Sequence, residues 1–322
     1  MRIKRWLPAI MALLMLCFCG CSGSGSQPAA EREKPVLAED AEKESAPEET
    51  PVPSEPRAVP LAETSFHADL AEGNDSVQLD LSSTENGYIA ISVHSDSRIK
   101  LQVSKGDDVY TYDIASDGKV SILPLQCGDG LYTIRVMENV VDSKYAEIYS
   151  TDCDVKLKDE FQPFIRTNDY ASYSDGSKCV TLAAELAGGA HNTPEIVAAI
   201  FDYICANIVY DEEKAATVGS GYIPTPDNTL AEGKGICFDY ASLAAAMLRS
   251  QGIPTKVIFG YVSPDDVYHA WNMFYTEETG WVTVEYEVQR NSWNRLDLTF
   301  SANGANAEFI GDGTNYADVY NY

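Results

Sequence analysis

The sequence predicts an α+β fold, and three patterns carry that prediction. Apolar and polar residues alternate across residues 64–157, which marks half-buried antiparallel strands. Two later stretches, one from Thr193 and one from Cys237, repeat apolar residues at helical spacing. Residues 257–262 and 269–275 then return to strand-like composition.

The chain has 322 residues, 45% of them apolar and 22% charged, which is enough to build a core. Acidic side chains outnumber basic ones 49 to 23, for a formal net charge of −26. That charge argues against nucleic acid as a partner, because phosphate binding needs clustered Lys and Arg. It also argues against adsorption to anionic lipid through a basic patch. After the first twenty residues no apolar run approaches the ~20 needed to span a bilayer.

Arg2, Lys4 and Arg5 precede an apolar stretch and then small residues up to Cys21. This is the layout of a secretory signal. Phe18-Cys19-Gly20-Cys21 resembles a bacterial lipobox, which implies a signal peptide over residues 1–20 and lipidation of Cys21. The expectation is a secreted chain, lipid-anchored to the outer face of the bacterial cytoplasmic membrane. Its contact with the membrane would be through that anchor only.

Residues 21–62 read as a disordered tether. Seven of the 15 prolines fall between Pro28 and Pro60, and Ser, Gly, Glu and Ala fill most of the rest. Such composition buries too little apolar surface to offset the entropy of ordering.

Residues 63–158 read as a small antiparallel β-sandwich. Val77, Leu79 and Leu81 alternate with the polar neighbours Gln78 and Asp80, and the same period runs through Ile89, Ile91 and Val93, through Ile99, Leu101 and Val103, and later through Tyr132, Ile134 and Val136. Glu85-Asn86-Gly87, Lys105-Gly106-Asp107, Ser116-Asp117-Gly118 and Cys127-Gly128-Asp129-Gly130 supply the turns.

Residues 159–322 change pattern. Thr193 reads as an N-cap with Pro194 in the first turn, followed by Ile196, Ala199, Ile200, Tyr203 and Ile204 on one face. A Gly- and Pro-rich loop over 219–227 leads to Gly233-Lys234-Gly235-Ile236-Cys237. Tyr240, Leu243, Ala244, Met247 and Leu248 continue at helical spacing, and Gly252 reads as the C-cap. Cys237 thus falls in the first turn of a helix, where the dipole and unpaired N–H groups favour a thiolate, the nucleophilic form. His269 opens the second of two strands that follow, beside Tyr268 and two residues before Trp271. An orienting carboxylate for that imidazole is offered by Asp297, four residues after Trp293, or by Glu285, four after Trp281. Cys127, Cys153, Cys179 and Cys205 are left, either as disulfides or as buried thiols. No Cys-x-x-Cys or His-x-x-x-His spacing suggests a metal, and nothing calls for a cofactor.

Gly235-Ile236-Cys237-Phe238-Asp239-Tyr240-Ala241, His269-Ala270-Trp271-Asn272 and Leu296-Asp297-Leu298-Thr299-Phe300 together resemble the three ordered motifs of the bacterial transglutaminase-like superfamily. Ile208-Val209-Tyr210-Asp211 fits the same pattern, whereas Leu298 stands where the family usually has Pro. The resemblance implies a papain-like core with Cys237 as nucleophile, His269 as general base and acid, and Asp297 as orienting carboxylate. It implies attack on amide bonds of proteins or peptides at the cell surface through a thioester. Hydrolysis is the favoured outcome. Protein cross-linking, or a binding or scaffold role with little chemistry, stays open.

Overall fold

The computed structural model describes residues 55–262, 267–277, 279–281, 287–288, 291–292 and 316–322. It is a mixed helix and sheet architecture with antiparallel sheets at both ends of the described chain. The described residues, from Glu55 onward, belong to one compact unit.

Two four-stranded antiparallel sheets come first. One has the order β1-β2-β3-β6, built from Glu72–Gly73, Val77–Asp80, Tyr88–Val93 and Ser121–Pro124. The other runs β5-β4-β7-β8, built from Asp108–Ile114, Ile99–Lys105, Gly130–Val141 and Lys144–Val155. Val77, Leu79, Ile89 and Ile91 of the first sheet share one apolar cluster with Leu101, Val103, Tyr132, Ile134 and Val136 of the second. This is the sandwich expected from the period-two pattern. Gly87, Gly106 and Gly118 take positive φ at the anticipated turns, a region that L side chains avoid. β3 departs from simple alternation, because all six of its residues are buried; Ser92 meets burial by donating to the Gly118 carbonyl at 2.8 Å.

Among the described residues five α-helices follow: α1 (Lys178–Ala187), α2 (Thr193–Asn207), α3 (Glu212–Thr217), α4 (Pro226–Glu232) and α5 (Cys237–Ser250). Between α2 and α3 lies β9 (Val209–Tyr210), paired in parallel with β10 (Lys234–Gly235). The N-cap of α2 is Asn192 rather than Thr193. The Asn192 carboxamide oxygen accepts from Glu195 N at 2.9 Å, and Thr193 becomes the first helical residue. α4 also starts inside the stretch read as loop, with Pro226 in its first turn.

α5 is buried along nearly its whole length, which explains its run of small residues, Ala241 and Ala244 to Ala246. It ends in a Schellman motif. Gly252 N–H bonds to the Arg249 carbonyl at 2.9 Å and Ile253 N–H to the Leu248 carbonyl at 3.1 Å, with Gly252 at φ 75°. Behind α5 stands the sheet β13-β12-β11-β16, of Gly280–Trp281, Val267–Thr276, Thr255–Val262 and Tyr316–Asn321. Between β13 and β16 in sequence lies a short antiparallel pair, β14 (Glu287–Val288) with β15 (Asn291–Ser292). Arg249 fastens α5 to its surroundings by donating to three main-chain oxygens, those of Thr255, Arg166 and Tyr322, each at 2.9 Å.

The sandwich and the helical core are welded together. The apolar cluster of the two sheets continues into Ile236, Phe238, Ala241 and Ala245 of α5 and its N-cap, Val257 and Ala270 of the third sheet, and Tyr322. Tyr110 and Tyr112 of β5 meet the Tyr322 ring edge-on at 5.6 Å each, and Tyr170 stacks on Tyr322 at 4.1 Å. Residues 55–62, assigned to the tether by composition, lie against the helices. Arg57 N–H donates to the Ala184 carbonyl at 2.9 Å, its guanidinium reaches the Gln251 carbonyl at 3.1 Å, and Ala62 bridges to Arg166. One main-chain bond to α1, a guanidinium bond to the residue after α5 and a β-bridge to Arg166 hold this segment despite its prolines. Among the described residues no helix is long and apolar enough to cross a membrane.

Candidate active site

Cys237 is the first residue of α5 and is half-buried; His269 lies near the start of β12 and is buried. Both line one cavity of about 410 Å³. Local sequence explains how each arrives there. Ile236 is extended, with φ −95° and ψ 176°, and turns the chain from β10 into α5, so Cys237 sits at the positive end of a fourteen-residue helix. β11 and β12 pair in register from Thr255↔Phe274 to Val262↔Val267, which sets His269 opposite Gly260. Asn272, on the same strand, donates its amide to the Ala241 carbonyl of α5 at 2.9 Å and to the Lys256 carbonyl at 3.1 Å. That side chain fixes β12 against the helix carrying Cys237. Trp271 stacks along His269 with ring centres 6.2 Å apart.

The approach to Cys237 is shaped by Asp239. This residue is 1% exposed, and its carboxylate accepts from Ile236 N at 2.8 Å, which closes the first turn of α5 from within. Ile236 offers no side-chain acceptor in return. The Lys214 ammonium of α3 lies 2.8 Å from the same carboxylate, the Tyr222 hydroxyl donates to it at 2.5 Å, and Thr229 Oγ1 of α4 is at 3.4 Å. Burial and then the Asp239 carboxylate push the Tyr222 phenol up to about 12. Burial opposes the charge of Lys214, but its bonds to Asp239 and Tyr222 prevail and raise its pKa. Gly235 is required beside this carboxylate. A Cβ there would lie 2.5 Å from Asp239 Cβ.

Around the thiol the walls are aromatic. Phe238, Phe259, Tyr170, Tyr222, Tyr268 and Tyr322 line the cavity, and Phe238 and Phe259 meet edge-on at 4.8 Å. The sandwich adds the far wall through Thr111 and Asp113 of β5. Asp113 is ion-paired to Arg98 at 2.9 Å and Lys100 at 3.5 Å.

Of the residues expected in the site, Cys237 and His269 are thus brought together, while Asp297, Glu285 and Cys21 lie outside the described residues. Among the described residues no disulfide joins Cys127, Cys153, Cys179 or Cys205. Burial pushes Cys153 up to about 11 and raises Cys127 and Cys179 as well, so none of these three is poised as a nucleophile. Among the described residues no group of three or more His, Cys, Asp or Glu could hold a metal ion. The Asp239 cluster and the β5 wall were not legible in sequence. Their members come from β5, α3, the 218–223 loop, α4 and α5, which no local pattern links.

Residues 180–286 match the family model of the transglutaminase-like superfamily. This segment is a transglutaminase-like domain. It includes Cys237 and His269 and stops short of Asp297. The uncharacterized protein YebA of Bacillus subtilis is 27% identical over 188 residues, covering 52% of this chain and 25% of that protein. The chain therefore spans about a quarter of that relative's length. A candidate cysteine protease from Cytophaga hutchinsonii superposes with a TM-score of 0.40 at 18% identity, over 72% of this chain and 73% of the other. Red sea bream transglutaminase gives a TM-score of 0.28 at 14% identity, over 67% of this chain and 48% of the other.

Proposed function

We propose that this transglutaminase-like domain is a cysteine amidase or peptidase acting on protein or peptide substrates. One observation carries the reading: a cysteine at the N-terminus of α5 and a histidine on the adjacent sheet line the same cavity. The Cys237 thiolate attacks the amide carbonyl and forms a C–S bond, while His269, protonated, gives its proton to the departing amine. Water then attacks the thioester, His269 takes its proton, and the thiolate leaves as the carboxylic acid is released. Asp297 orients the imidazole in this reading, with Glu285 as the alternative. The Cys237 N–H is a donor for the oxyanion.

The thioester's fate decides between hydrolysis and cross-linking, and water is the acceptor favoured here. The lipobox-like Cys21 supports reading the enzyme as lipid-anchored outside the cell, where surface proteins and peptides are the available amides. A chain of charge −26 favours basic substrates over anionic polymers, with steering screened beyond about 8–10 Å at physiological salt. The test is incubation with an unfolded protein substrate and a fluorescent primary amine, beside Cys237→Ala. New carboxyl termini or released ammonia without amine incorporation supports hydrolysis. Amine incorporation moves the assignment to transamidation, and no Cys237-dependent product contradicts the enzyme reading.

A further inference from the structure

We infer that Lys214 sets the ionisation of the Cys237 thiol by cancelling the charge of Asp239. The inference rests on Cys237 being the nucleophile. Asp239 lies two residues beyond Cys237, in the same first helical turn, and is 1% exposed. An anion there competes with the thiolate for the positive end of α5, and a like charge in the same turn disfavours a second negative charge. Four groups hold the Asp239 carboxylate: Ile236 N, Tyr222 OH, Thr229 Oγ1 and Lys214 Nζ. Of these four only Lys214 carries a charge. At 2.8 Å it makes the pair neutral as seen from Cys237.

The other groups facing the thiol do not take over this task. Tyr210 from β9 and Tyr268 from β12 have phenols raised by burial and stay neutral at physiological pH. Asp113, across the cavity on β5, already has Arg98 and Lys100. His269, also on the cavity wall, is the thiol's own partner in the proposed chemistry. Lys214 is therefore a positioning residue that acts through Asp239 and touches no substrate. It stands on α3, a six-residue helix, and the Asp211 carboxylate caps that helix by accepting from Lys214 N at 2.9 Å.

The experiment is the pH dependence of iodoacetamide alkylation at Cys237, read from the mass of its peptide so that other cysteines do not interfere. Lys214→Met leaves Asp239 unopposed and should raise the apparent thiol pKa by about one unit, slowing alkylation at pH 6 about tenfold. Asp239→Asn keeps an acceptor for Ile236 N but leaves Lys214 unopposed, and should lower the pKa. The double variant should return to wild type, and Lys214→Arg should stay near it. Opposite signs are the signature, since simple loosening of the site would move both single variants the same way. Shifts of the same sign, or none, overturn the inference even where the wild-type thiol keeps a low, His269-dependent pKa. A wild-type thiol near 8.5 that ignores His269 contradicts the nucleophile reading instead, and the two opposed shifts remain measurable there. Should Lys214→Met fail to fold, Asp239→Asn alone reads the same interaction: an unchanged or raised pKa overturns it.

Discussion

Gly235 and Asp239 touch so closely that a methyl group on Gly235 would lie 2.5 Å from Asp239 Cβ. The glycine before the cysteine is thus a space for a buried carboxylate, and that carboxylate closes the helix turn that presents Cys237. Gly235→Ala should cost about 1–3 kcal/mol, as overpacking does in a close-packed core. It should also slow Cys237 alkylation, because Asp239 must withdraw from Ile236 N. Urea unfolding and thiol labelling of the same variant check both statements.

Arg249 is a buried cation whose partners are all main-chain oxygens, and burial lowers its pKa to about 10. Arg249→Met fills much of the space yet leaves three carbonyl oxygens without their donor. The expected loss is about 3 kcal/mol or more in denaturant unfolding. Arg249→Lys should recover only part of it, because an ammonium cannot span three acceptors as a guanidinium fork does.

Asp80 should make the sandwich sensitive to acid. It is 1% exposed and accepts from His67 N at 2.7 Å and Ser82 N at 2.8 Å. Burial disfavours its charge, but hydrogen bonds from Ser82 and His67 outweigh burial and hold the carboxyl below the usual range. A depressed folded pKa gives stability that is complete above the unfolded value of about 3.9 and is lost as pH falls through the folded value. The stability difference between wild type and Asp80→Asn should therefore shrink as pH drops from about 5 to 2. Chemical unfolding across that range measures it.

Asn192→Ala removes the acceptor that caps α2 and should cost about 1 kcal/mol. Asn192 lines a different cavity from Cys237, so labelling of the thiol should be unchanged. A thermal melt together with alkylation separates this local effect from any general loosening.

Period and turn residues were enough to read the sandwich strands, the helix opening at Cys237, its end at Gly252 and the strand carrying His269. These are local signals, each contained within about a dozen residues. What stayed hidden is long-range. β16 pairs with β11 across more than fifty residues, with register set only by the fold. The 55–62 segment has a linker's composition but finds main-chain partners on α1 and beyond α5. α1 has few polar signposts, and its Ser177 N-cap makes no side-chain cap bond; Asp227 of α4 instead accepts from Lys178 N and Cys179 N at 3.0 and 2.9 Å. The Asp239 cluster draws on residues up to 25 positions apart. The wall from β5 exists because Tyr110 and Tyr112 pack on Tyr322, a pairing of side chains far apart in sequence.

The central claim is that Cys237 and His269 form a working pair, and the rate of Cys237 alkylation against pH, with His269→Ala alongside, tests it most directly. The account predicts a thiolate that appears well below the ordinary cysteine pKa of about 8.5 and is lost when His269 is removed. A thiol that titrates near 8.5 in both proteins would contradict it.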